Sequence, residues 1–175
     1  MTPEYLAGLF DGEGCIDVQR MYPKVSRPRL YVRPRVRMCM TDSARYLADQ
    51  LHAKFGGHIL TRKGKQNQQS SWSLEWLSGD DIRRFLNLIL PHLILKAEQA
   101  KLVLWWLDNA SGRFTTAGYV GMEQARAAFA EELRAMKVDP QRLSERAMKR
   151  IASLMRQSGL HGDMEKTAEM AVSLG

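Results

Sequence analysis

"LAGLFDGEG", residues 6–14, sets Leu6, Leu9 and Phe10 at helical spacing and then breaks into acid, glycine, acid, glycine. One glycine is enough to end a helix. Two glycines with an acid between them, and another acid one step earlier, call for a further reason. Upstream, Thr2-Pro3-Glu4 reads as a helix start: a hydroxyl cap, proline at the first helical position, and an acid on the positive end of the dipole. The helix is therefore expected from Pro3 through Phe10, with Gly12 and Gly14 stopping it. Ala7 and Gly8 leave one side of it without bulk, so a second helix can come close there.

Outward from this stretch, charge divides the chain unevenly. Residues 1–19 carry −4, residues 20–65 carry +10, and the remaining 110 residues carry +1, within a net charge of +7. An acidic opening beside a concentrated basic segment suits a protein that holds a cation among phosphates. At 175 residues, with 45% hydrophobic residues and four tryptophans, the chain is long enough for one domain with a real core. No run of 18 apolar residues occurs and no basic-then-apolar leader opens the chain, so an intracellular protein with no membrane partner is expected. Cys15 and Cys39 fit no metal spacing, and His52, His58, His92 and His161 form no HxH or HxxxH pair, which argues against a zinc enzyme.

Periodicity orders the rest. Residues 15–22 read as a strand. In "RLYVRPRVRMCM", 29–40, Leu30, Val32, Val36, Met38 and Met40 share one parity and Tyr31, Arg33, Arg35 and Arg37 the other, which is a second strand. Pro34 implies that this strand is not hydrogen-bonded on both sides throughout. Thr41 or Asp42 caps a helix with Ala44, Leu47, Ala48, Leu51 and Phe55 on one face, closed by Gly56-Gly57. Residues 58–64 and 70–77 form a hairpin around the polar loop "KGKQNQQS". Gly79-Asp80 opens a helix with Ile82, Phe85, Leu86, Ile89 and Leu90, and Ala97–Asp108 is another. The order is αββαββα: an α+β domain with four antiparallel strands, one sheet face polar and the other covered by helices. The core is assigned to residues 1–108. Residues 109–175 form a C-terminal helical extension packed on the same domain, with helical patterns at 122–136, 140–154 and 163–174.

The signature resembles that of the LAGLIDADG homing endonucleases: Leu-Ala-Gly, an apolar pair, then acid-Gly-acid-Gly. The αββαββα order is similar too, as is "PHLILKAEQAKLVL", 91–104, the proline-to-lysine stretch after the second helix. This resemblance implies a saddle-shaped sheet that reads DNA and an active site at the base of two packed signature helices. It implies that Asp11 is structural at the motif end. Glu13, with the Gly12 backbone carbonyl, would hold Mg²⁺, which takes few protein carboxylates and fills its octahedron with phosphate oxygens and water. Lys96 matches the family's catalytic-pocket lysine. Its place in the first turn of a helix disfavours a cation by ~0.3–1 kcal/mol, a cost that a nearby phosphate would offset. The chain departs from the pattern at the end of the second strand. Many members carry a polar residue there, often glutamine, and this chain has Met40, flanked by Cys39 and Thr41, with Thr41 or Asp42 as the substitute if the register shifts by one residue.

The polar parity of the strands supplies a reading surface. Tyr31, Arg33, Arg35 and Arg37 form a stripe suited to guanine O6 and N7 in the major groove. The first strand adds Asp17 and Gln19. The hairpin adds Thr61, Lys63 and Lys65, then Ser71, Ser73 and Glu75; parity in "HILTRKG" leaves Arg62 as the alternative to Thr61. One signature implies a homodimer of the single-motif type, with Ala7 and Gly8 at the two-fold axis and a long, roughly palindromic double-stranded target. "TAGYVGMEQ", 116–124, lacks the equivalent of Asp11 and is not a second signature. The function expected is Mg²⁺-dependent, site-specific double-strand cleavage, with an RNA maturase acting on intron RNA or a non-cutting DNA-binding regulator as the alternatives on the same fold.

Overall fold

A computed structural model of the chain describes residues 1–21, 31–65, 69–110 and 118–157. The Tyr31 side chain and the helical pattern at 163–174 lie outside what it describes. Its elements run α1 (Pro3–Glu13), β1 (Gly14–Met21), β2 (Tyr31–Thr41), α2 (Arg45–Phe55), β3 (His58–Arg62), β4 (Ser71–Trp76), α3 (Gly79–Ile89), α4 (Ala97–Asn109), α5 (Gly118–Val138) and α6 (Ser144–Gln157). Short 3₁₀ turns at Asp42–Ala44 and Leu90–His92 precede α2 and follow α3.

Thr2 caps α1 as its sequence requires, its hydroxyl accepting from the Tyr5 N–H at 3.3 Å. The other end differs from expectation by one turn position. Gly12 is inside the helix, which continues through Glu13 and is closed by Gly14, whose N–H donates to the Phe10 carbonyl. Gly14 leaves the helix with an extended backbone, and the position demands glycine, since a Cβ there would collide with the Phe10 carbonyl and ring. Between α2 and β3, Gly56 and Gly57 take φ values of 71° and 92°, a reversal that L side chains resist.

The four strands form one antiparallel sheet in the order β1-β2-β4-β3. β2 pairs β1 over Tyr31–Met38 and β4 over Val36–Thr41. Pro34 therefore sits where β2 has a neighbour on one side only, so its missing N–H breaks no second ladder. Period-two alternation puts Ile16, Val36, Met38, Trp72, Leu74 and Trp76 against the helices, each at most 1% exposed. Phe85 of α3 organises that layer: Trp76 stacks on it at 4.2 Å, while Phe10 and Phe55 meet it edge-on at 5.3 and 5.4 Å. Among the described residues the opposite sheet face is polar and carries no helix layer of this kind.

The same core continues into α5 and α6. Phe129 stacks on Trp106 of α4 at 4.4 Å, and Met122, Leu133, Met136 and Ile151 are buried in one cluster with the sheet residues. Gln99 donates to the Met136 carbonyl, and Glu98 caps α6 by accepting from the Ser144 N–H and hydroxyl at 2.8 and 2.7 Å. Among the described residues no helix is long and apolar enough to cross a membrane.

Candidate active site and nucleic-acid interface

The site begins with the carbonyls that every helix end leaves without an N–H partner. At the end of α1, the Asp11 carbonyl accepts a hydrogen bond from the Lys96 ammonium. The Asp11 carboxylate in turn accepts three backbone N–H bonds: Ile94 at 2.8 Å and Leu95 at 3.1 Å on Oδ2, and Lys96 at 3.0 Å on Oδ1. Successive N–H groups turned to one point make an anion-binding concavity, and here a side chain fills it. One residue thus ties the end of α1 to the segment that starts α4. This is a structural role at the motif end, with a chemical result.

That result is the placement of Lys96. Its main chain is the N-cap of α4, with its carbonyl accepting from the Ala100 N–H at 2.9 Å, so it precedes the first turn rather than lying in it. Its ammonium sits at the negative end of α1, where a helix dipole favours a cation. The electrostatic cost expected from α4 is thereby offset within the chain itself.

Glu13 ends α1 with an exposed carboxylate that makes no hydrogen bond or ion pair with any described residue. It is the last helical residue, not one beyond the end. The Gly12 carbonyl belongs to the same unsatisfied last turn. Both are hard oxygen donors of the kind Mg²⁺ prefers. Among the described residues no three His, Cys, Asp or Glu side chains gather into a metal cluster.

Beside the helix end, Gly14, Cys15, Lys96, Gln99, Lys137 and Pro140 line an open hollow of about 270 Å³. Lys137, in the last turn of α5, is the functional candidate that sequence reasoning missed. Its ammonium lies 3.3 Å from the Cys15 sulfur and 4.0 Å from Asp17 Oδ2. No local pattern links positions 122 residues apart, so only the packing of α5 against β1 reveals it.

On the open sheet face the register sets Cys15 opposite Arg37, Asp17 opposite Arg35 and Gln19 opposite Arg33. Arg33 Nε donates to Gln19 Oε1 at 2.7 Å. Arg35 donates from Nε and Nη2 to the two oxygens of Asp17 at 2.8 and 3.0 Å, and its Nη1 lies 3.8 Å from Glu75. Hydrogen bonding to Asp17 holds the Arg35 guanidinium above its ordinary pKa. Ser71, Ser73 and Glu75 of β4 face the same way, as partners of Thr41, Cys39 and Arg37.

Four residues differ from expectation. Thr61 pairs with Trp72 on the helix side of the sheet and accepts from Arg45 of α2 at 2.8 Å; Arg62, opposite Ser71, is the β3 residue on the open face. The cause is the adjacent pair Ile59-Leu60, of which Ile59 packs on the core while Leu60 is 53% exposed. Lys63 and Lys65 lie exposed past the end of β3, so strand parity does not govern them. Ala7 is fully buried within the chain, so it offers no surface to a second helix. Gly8 is open, as is Gly12 four residues on: a Cβ added at either would meet nothing within 4 Å. Met40 keeps the apolar parity and packs on the core, leaving Cys39 and Thr41 exposed on the open face beside it.

The arrangement is similar in fold to several solved structures. The homing endonuclease I-CvuI, in complex with its target in the presence of Ca, matches with a TM-score of 0.60 at 23% identity, covering 87% of this chain and 93% of that one. The archaeal intron-encoded homing endonuclease I-Vdi141I, complexed with DNA, matches at 0.55 and 14% identity, over 90% and 96% of the two chains. I-TnaI matches at 0.53 and 19%, over 89% and 98%. These likenesses show a shared fold. A search of curated protein sequences found no match. The model of the LAGLIDADG endonuclease family matches residues 6–94, from the first signature residue to the segment held by Asp11, and by that match the chain belongs to the LAGLIDADG endonuclease family.

Proposed function

We propose that the protein is a site-specific DNA endonuclease that cuts both strands of a long, pseudo-palindromic duplex as a homodimer, using Mg²⁺. The observation that carries this reading is the Asp11 knot, which fixes the Lys96 ammonium at the end of the one helix that presents an unpaired Glu13. Glu13 and the Gly12 carbonyl are the residues that would hold the cation. A divalent ion in such a site supplies a water of lowered pKa and stabilises the leaving oxygen. Lys96 supplies fixed positive charge where charge develops on the phosphate. Asp11 keeps that lysine in place without touching the reacting atoms.

Support for the dimer is chemical as well as steric. Each chain carries one signature and, at the end of α1, one carboxylate with no partner among the described residues, half of what two cuts require. Gly8 and Gly12 leave a smooth helix face, and Tyr5, Ile94 and Leu95 beside it are 59%, 84% and 55% exposed. Covering those side chains with a second copy would remove apolar surface from water. Two-fold symmetry then makes the target nearly palindromic, with each open sheet face, rich in Arg33, Arg35, Arg37 and Arg62, laid in a major groove.

The test is cleavage of a plasmid carrying the uninterrupted form of the locus in which this reading frame is inserted. Linear product is expected with Mg²⁺ and none with EDTA. Glu13→Gln should cut at background level and still bind the site. Wild-type protein that binds the site yet never cuts it under any divalent ion would refute the enzyme.

A further inference from the structure

We infer that Asp17 is a positioning residue for sequence discrimination, holding Arg35, and more loosely Arg37, in one orientation on the open sheet face, so that base choice depends on a side chain that reads no base. The inference rests on the proposed DNA-binding role of that face.

The geometry carries it. Both Asp17 oxygens are taken by the side-on edge of Arg35, at 2.8 and 3.0 Å. Arg35 Nη1 faces Glu75 at 3.8 Å, so the guanidinium is bracketed from β1 and from β4. Arg37 Nη2 lies 3.5 Å from Asp17 and Lys137 Nζ 4.0 Å, so three cations from two elements converge on one carboxylate. The side chains of Asp17 and Arg35 are only 17% and 22% exposed, which lessens solvent screening of the pair.

Physical chemistry separates this role from direct reading. Arg35 takes one lone pair on each Asp17 oxygen, and Arg37 and Lys137 crowd Oδ2, which leaves the carboxylate poorly placed to accept from cytosine. A carboxylate on a phosphate-facing surface also opposes binding to any duplex, so it is useful only if it improves selectivity. An untethered arginine adapts to several donor–acceptor patterns. Arg35 held by its Nε–Nη2 edge is left with the Nη1–Nη2 end, one fork in one place, which matches O6 and N7 of guanine.

The experiment begins by selecting duplexes from a random-sequence library with wild-type dimer in metal-free buffer, then measuring binding to every single-base variant of the selected site. Asp17→Asn should tighten binding to random duplex several-fold and weaken discrimination by roughly tenfold at one symmetric pair of positions, leaving the others unchanged. Arg35→Gln should flatten the same positions, and Asp17→Asn added to it should change them no further. A uniform loss across all positions, or an unchanged profile with only a lower melting temperature, would overturn the inference and leave the DNA reading standing. If the wild type selects no sequence at all, both fall.

Discussion

Asp11 is the residue whose replacement best separates structure from chemistry. Its carboxylate accepts three main-chain N–H groups at the Ile94–Lys96 segment, and hydrogen bonds to a charged acceptor contribute about 1.5–3 kcal/mol each. Asp11→Asn turns one acceptor oxygen into an NH₂ facing those donors. It should cost about 2–3 kcal/mol of stability in urea denaturation and lower the cutting rate by releasing Lys96. Glu13→Gln, by contrast, should leave the urea midpoint unchanged, because Glu13 has no partner to lose. Gly14→Ala should destabilise by about 1–3 kcal/mol, since a methyl there must displace Phe10. The acids and glycines of the signature were legible from residues 6–14 alone. Their division of labour was less so, because the three N–H donors stand 83 to 85 positions away. Of the two signature acids, one binds backbone and the other meets no partner among the described residues.

At the scale of elements, α6 is fastened to α5 through a buried acid. Glu132 is 5% exposed and accepts from Arg142 and Arg150 at 2.9 Å each. Burial pushes its pKa up, but the bonds from Arg150 and Arg142 outweigh that and leave it below the ordinary 4.5. A carboxyl with a depressed folded pKa contributes stability above its unfolded value, and the contribution is lost as pH falls through the folded one. Glu98, which caps α6 and bonds Lys101, is lowered on the same balance against burial. The fastening of α6 should therefore be intact at neutral pH and weaken below about pH 4.5. Denaturant midpoints measured from pH 7 to 3 should fall more steeply for wild type than for Glu132→Gln, which starts lower and changes less. The β2 strand was legible because its alternation is strict on both faces. β3 was not: Ile59 and Leu60 are neighbours, both apolar, and only pairing with β4 decides which one faces the core. Strand order was not legible either, since parity fixes faces but not neighbours.

For the whole molecule, the decisive surface is the empty side of α1. Gly8→Arg places a long cation where the isolated protomer has open space, and it removes a helix-interior glycine that costs about 1 kcal/mol. The protomer should keep or slightly raise its own melting temperature while sedimentation equilibrium shows loss of the dimer, and cleavage should disappear with it. The uneven charge and the strict alternation of β2 made the polar, arginine-rich sheet face legible in outline. The reach of α5 back to Cys15 and Asp17 was hidden, because it depends on tertiary packing between segments with no shared pattern. If two copies pair across this smooth face as proposed, each bringing half the chemistry, activity becomes second order in protein. Wherever the protomer is scarcer than its dissociation constant, halving expression should abolish about three quarters of the breaks, so dosage in the cell becomes a brake on genome damage.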